Sequence, residues 1–164
     1  MPRHEIRSFD YVNHPYPRVR VALMGDLAGI IRAATGAATS RAEAIAAELH
    51  VNIAGLHVGT EVRITLGEIT EDRGGSHSTP TTRIPVSWEA AQHPGLFPLM
   101  SAELSVYPLT TTETQLDFLG RYEPPLGVVG GAIDALVMHR IADACVHRFV
   151  TDVASYLRSH LVTD

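Results

Sequence analysis

Three side chains stand out as candidates for chemistry: Asp134, His139 and Tyr122. Asp134 sits near the start of a long helical pattern, at the edge of its apolar face. A carboxylate beside an apolar surface has its charged form disfavoured, so it could serve as an acid or a hydrogen-bond donor. The plainer reading is a first-turn acid favoured by the helix dipole. His139 lies on the opposite edge of the same face and stands in the same balance. Tyr122 ends a strand pattern on its apolar side, where it packs or offers its hydroxyl to one polar atom of a bound molecule. His139, Asp143 and His147 follow at i, i+4 and i+8, a spacing that can hold a metal or orient an imidazole against a carboxylate. Asp143 and His147 fall on the polar side of the helix, so a solvated face is the preferred reading and no metal is expected. Cys145, the single cysteine, falls on the apolar side and reads as a small filler rather than a nucleophile.

The familiar catalytic signatures are missing. Gly74-Gly75-Ser76-His77-Ser78 lacks the second glycine of a nucleophile elbow. The glycines at 127, 130 and 131 lack dinucleotide-loop spacing. All 13 basic residues are arginine, which excludes a Schiff-base or P-loop lysine. Eighteen acids give a net charge of -5, against the clustered positive charge that nucleic-acid binding needs. No stretch approaches the ~20 apolar residues of a membrane span, and Met1 to Asp10 has no apolar signal segment. The expectation is one cytoplasmic domain over residues 1–164, with no cofactor, no nucleic-acid partner and no membrane span.

The elements that must position these side chains are helical at the ends and extended in the middle. A first strand over Glu5 to Val12 is stopped by His14-Pro15-Tyr16-Pro17. From Arg18 to Ala34, Val19, Leu23, Leu27, Ile30 and Ile31 recur at helical spacing. Gly25-Asp26 breaks the run, predicting two short helices with Asp26 capping the second, followed by a loop of small residues over Ala37 to Arg41. Five segments then alternate with period two, predicting an antiparallel sheet with one dry face. They are Glu48 to Ile53, Glu61 to Leu66, Arg83 to Trp88, Met100 to Val106 and Gln115 to Tyr122. Turns are expected at Gly55 to Gly59 and Pro108 to Thr112, and a longer polar loop at Glu71 to Pro80. A final helix runs from about Val128 to about Leu161, burying Met138, Ile141, Ala142, Cys145, Val146, Phe149, Val150, Val153, Tyr156 and Leu157 on one side.

This order, together with the stretch Gly120-Arg121-Tyr122-Glu123-Pro124-Pro125-Leu126-Gly127 leading into the last helix, resembles the helix-grip superfamily. That superfamily holds the START domains, polyketide cyclase-like proteins and pollen-allergen-like ligand carriers. The resemblance implies an α+β fold whose curved antiparallel sheet wraps a long C-terminal helix. Six strands are legible here where the superfamily usually has seven. The missing one is expected between Glu68 and Arg83 or near Ala42 to Ala47.

The resemblance also implies an apolar cavity between sheet and helix for a hydrophobic ligand such as a lipid, an isoprenoid or a polyketide-like molecule. The lining residues would be Val62, Ile64, Trp88, Leu104, Phe118, Tyr122, Met138, Ile141 and Phe149. No acid, histidine or arginine falls on the dry face of the five segments, which favours binding over acid-base catalysis. The alternatives are a polyketide cyclase or dehydratase using Asp134, His139 or Tyr122, and a partner-binding protein with a collapsed cavity. Val129, Ile133, Leu136 and Val137 point away from the buried side of the last helix; they either meet the two short helices or form an exposed apolar patch of the kind that marks a homodimer interface.

Overall fold

The computed structural model describes residues 4–48, 62–90, 99–123 and 135–161. In chain order these form β1 (His4–Val12), α1 (Tyr16–Gly25), α2 (Leu27–Glu48), β2 (Val62–Leu66) and β3 (Thr70–Asp72). Then come β4 (Thr81–Ala90), β5 (Leu99–Pro108), β6 (Thr114–Glu123) and α3 (Ala135–His160). The period-two alternation resolves into one antiparallel sheet of order β1-β6-β5-β4-β2, with β3 also pairing β4. Ile84, Val86, Trp88, Met100, Leu104, Val106, Leu116, Phe118 and Tyr122 are buried on its inner face. Apart from Gly120, which is buried on the same inner face, the residues between them are exposed or half-buried, as a sheet with one covered face requires.

β1 divides the same way. Ile6, Ser8 and Val12 are buried, while Phe9 and Tyr11 are exposed on the outer face. The turn expected at Pro108 to Thr112 is present, closed by Leu109 and Thr110 amides donating to the Glu113 carbonyl.

The bend at Gly25-Asp26 is where the sequence puts it. Asp26 accepts a hydrogen bond from the Gly29 amide at 3.3 Å through its carboxylate, as an N-cap does. The second helix is not short, however: it runs 22 residues and takes in Ala37 to Arg41, which the sequence reading made a loop. Alanine is the strongest helix former, and Ala34 and Ala38 are buried one turn apart where α2 lies along α3. The small residues are there for close helix packing, not for a turn. Glu48 likewise belongs to α2 rather than to a strand; Leu49 to Ile53 and the Gly55 to Gly59 turn lie outside the described residues.

The seventh-strand question is settled in part by β3, which lies between Glu68 and Arg83, whereas Ala42 to Ala47 is helical. The Glu71 to Pro80 loop is correspondingly shorter than expected. Glu71 and Asp72 belong to β3, and the turn beyond is tied by the Gly74 amide on the Asp72 carboxylate and by the Gly75–Ser78 bridge. Gly74 has φ +79°, a left-handed conformation that glycine adopts without cost.

On α3, Ala142, Cys145, Val146, Phe149, Val150, Val153 and Leu157 are buried and Tyr156 is half-buried. Arg140, Asp143, His147 and Ser155 are exposed. The helix shares its buried side between α2 and the sheet, chiefly at β1. Among the described residues no single helix is long and apolar enough to cross a membrane.

Candidate functional site

The strand register places the sequence-derived candidates in rows across the inner face. Ile64, Trp88, Met100 and Tyr122 stand side by side on β2, β4, β5 and β6. Ile84, Leu104 and Phe118 form a second row. Phe149 descends from α3 onto both rows. Its ring centroid is 5.3 Å from that of Trp88 and 5.2 Å from that of Phe118, and the Trp88 and Phe118 rings are 6.1 Å apart. This tilted three-ring cluster joins sheet to helix, at separations where aromatic pairs attract beyond their buried area.

Gly120 makes the cluster possible. A Cβ there would lie 2.8 Å from Met100 Sδ and 2.9 Å from Phe118 Cε1, so both side chains lean into space that glycine leaves open. The sequence reading used Gly120 as part of a junction motif and missed this packing role.

At the Tyr122 end of the first row the apolar lining gives way to a polar pair. Tyr122 is 1% exposed, yet its hydroxyl reaches His139 Nδ1 at 3.1 Å, on the first turns of α3. Burial pushes the Tyr122 phenol above its ordinary range, so it stays protonated. With a neutral imidazole protonated on Nε2, the phenol donates to Nδ1 and leaves the Nε2–H directed elsewhere. His139 itself is exposed. The structure thus joins two candidates that the sequence had offered separately, because a strand end and a helix start cannot be registered from spacing alone.

The remaining candidates divide as follows. Ile64 is half-buried and packs on the core; Trp88, Leu104, Phe118 and Phe149 are fully buried. Val62 lies in β2, and Met138 and Ile141 lie in α3, but their side chains are outside what is described, as are those of Leu136 and Val137. Asp134, Val129 and Ile133 fall outside the described residues. Cys145 is fully buried and its thiol is pushed up to about 12 by desolvation, consistent with a filler and inconsistent with a nucleophile.

Beyond those candidates, α3 holds β1 through polar contacts that periodicity could not reveal. Arg158 donates to the Asp10 carboxylate at 2.8 Å and to the Tyr11 carbonyl, and its guanidinium lies 5.4 Å over the Tyr11 ring. His147 Nδ1 stands 3.5 Å from Ser8 Oγ.

A separate recess of about 350 Å³ opens between α1 and β3–β4, lined by Tyr16, Arg20, Glu71, Asp72, Arg73 and Pro80. Arg20 grips Glu71 with two hydrogen bonds, 2.6 and 2.8 Å, which hold that carboxyl below its usual range. Tyr16 Oη lies 2.7 Å from Thr82 Oγ1. This polar crevice fastens β3 to α1 and shares no residue with the apolar rows.

The antiparallel sheet, the paired helices after its first strand and the long closing helix define the architecture. This is the element order of a helix-grip fold. No protein-family model and no curated protein matches the sequence. Among solved structures, the chain is similar to Zhui aromatase/cyclase from Streptomyces sp. R1128, with 12% identity over 95% of this chain and 94% of that one and a TM-score of 0.47. TTHA0849 from Thermus thermophilus is 14% identical over 95% and 98% of the two chains, with a TM-score of 0.44. Ara h 8.0201 is 9% identical over 97% and 100%, with a TM-score of 0.39.

Proposed function

We propose that this helix-grip domain holds a hydrophobic small molecule, such as a lipid, an isoprenoid or a polyketide-like compound, between its sheet and α3. Tyr122 and His139 would be the polar contact at one end. The observation that carries this reading is the composition of the two inner rows: apolar side chains from Ile64 to Met100 and from Ile84 to Phe118, ended by the Tyr122–His139 pair in one row and by Ser8, beside His147, in the other. That is the usual make-up of a small-molecule site, a largely apolar wall with a few convergent polar groups. In this reading the Trp88–Phe118–Phe149 cluster is the floor, and apolar contact at roughly 25 cal/mol per Å² supplies most of the affinity.

The test is native mass spectrometry of the purified protein, followed by organic extraction and mass analysis. A co-purifying apolar compound is expected in the wild type and is expected to be lost from Met138→Trp and Ile141→Trp. Retention of the compound in both variants overturns the assignment of this site.

The Tyr122–His139 pair favours a second reading, an enzyme of the polyketide cyclase or dehydratase type. A phenol kept neutral beside an imidazole can pass a proton to a carbonyl-bearing substrate through the His139 Nε2–H. This reading requires turnover of a poly-β-keto substrate that falls at least about 100-fold in Tyr122→Phe or His139→Gln. Unchanged rates in both variants remove it.

A further inference from the structure

The polar recess between α1 and β3–β4 is not used by ligand binding inside the sheet. Its volume is about 350 Å³, at the lower end of the roughly 300–1,000 Å³ usual for small-molecule sites. The β3–β4 turn that forms one wall has a set backbone. Gly74 lies so close to Pro80 that a Cβ there would stand 2.8 Å from Pro80 Cδ, and the Gly75–Ser78 bridge closes the turn. Arg73, between β3 and that turn, is carried into the recess lining on this fixed segment.

The recess has hydrogen-bond donors to spare. Glu71 is satisfied, since Oε1 accepts from Arg20 Nε and, at 3.5 Å, from Thr82 Oγ1, while Oε2 accepts from Arg20 Nη2. Thr82 has only one hydroxyl hydrogen, so the phenol of Tyr16 is the donor in their 2.7 Å contact. Left over are the Nη1 hydrogens of Arg20 and the whole guanidinium of Arg73, which makes no hydrogen bond or ion pair among the described residues. Charge points the same way. Arg20 and Glu71 cancel, and Arg73 adds a positive charge that Glu71 feels. Asp72 does not offset it. It follows Glu71 on β3, so its side chain leaves the opposite face of the strand, and its carboxylate accepts the Gly74 amide of its own turn at 2.9 Å. Neither Arg20 nor Glu71 responds to its charge.

We propose that this recess binds the oxyanion group, a carboxylate or a phosphate, of a small organic molecule. The Arg73 guanidinium takes two of its oxygens in the paired geometry that suits such groups. Arg20 Nη1 supplies a further donor, and the Tyr16 and Pro80 rings flank the rest of the molecule.

NMR titration of the full chain with acetate, benzoate, inorganic phosphate and phenyl phosphate, following the Gly74 and Gly75 amides, tests this. At least one probe is expected to give a saturable shift, and comparing the carboxylates with the phosphates identifies the group. Arg73→Gln, at an exposed position, is expected to weaken that binding about tenfold or more, as loss of a charge-assisted hydrogen bond does, without moving the thermal melt. Asp72→Asn, which keeps an acceptor for the Gly74 amide, is expected to bind as wild type. So is Arg83→Gln, at an exposed position paired with Glu103. No saturable shift with any of the probes, wild-type binding by Arg73→Gln, or an equal loss in Asp72→Asn or Arg83→Gln overturns the proposal.

Discussion

Two residues show how a single side chain is set by what surrounds it. Cys145 is buried with its thiol pushed up to about 12 from an ordinary 9.0. A thiol that stays protonated in the fold but ionises when unfolded makes the folded state bind more protons above pH 9. Its contribution is therefore complete below about pH 9 and is lost as pH rises toward 12, at about 1.4 kcal/mol per pH unit. Chemical denaturation of wild type and Cys145→Ala from pH 8 to 11 should show this slope in their difference, and a flat difference would contradict it. Gly120 is set by its neighbours in the opposite sense, since any Cβ there meets Met100 and Phe118. Gly120→Ala is expected to cost about 1–3 kcal/mol through overpacking and to shift the fluorescence of Trp88, whose ring stacks on Phe118. An unchanged melt and spectrum would mean that the two side chains move aside freely.

Among the elements, β1 and α3 show what the sequence could and could not reveal. The alternation of β4, β5 and β6 and the wheel of α3 are strong periodic signals, and the structure follows them over the described side chains, with Ala102 and Tyr156 half-buried. The same arithmetic reads a run of alanines ambiguously: Ala37 and Ala38 look like loop filler until α3 is laid against them. The Tyr122–His139 bond and the Arg158 clasp on β1 join residues 17 and more than 140 positions apart, beyond the reach of any local pattern. That clasp matters because β1 ends the sheet order, and an edge strand exposes unpaired backbone groups. Arg158 covers the Tyr11 carbonyl, and the Asp10 carboxylate accepts the Tyr11 amide at 2.8 Å. Arg158→Leu keeps the buried stem but removes both contacts. It should cost about 1–2 kcal/mol and raise amide exchange at Tyr11 and Val12 well above that at Ile6. Uniform exchange along β1 would assign the clasp no local role.

At the scale of the whole molecule, the sheet and α3 meet at one three-ring cluster, so a ligand seated beside it, as the proposed function requires, should be felt by the entire fold. A ligand that binds only the folded state adds RT ln(1 + [L]/Kd), about 2.7 kcal/mol at a hundredfold excess over Kd. For a chain of this length that is on the order of 5–10 °C in melting temperature. Protein stripped by organic extraction and refolded should therefore melt lower than protein as purified, and adding back the extract should restore the difference. In Ile141→Trp, a bulky ring at the ligand position should abolish the response to the extract while the stripped protein still folds. Phe149→Ala differs in kind. Loss of the ring should cost about 3–5 kcal/mol but leave space, so its response to the extract should persist or grow. If Ile141→Trp responds as wild type, the ligand lies elsewhere. If neither variant nor wild type responds to the extract, the helix and sheet close on each other without a guest, and their packing alone accounts for the stability of the fold.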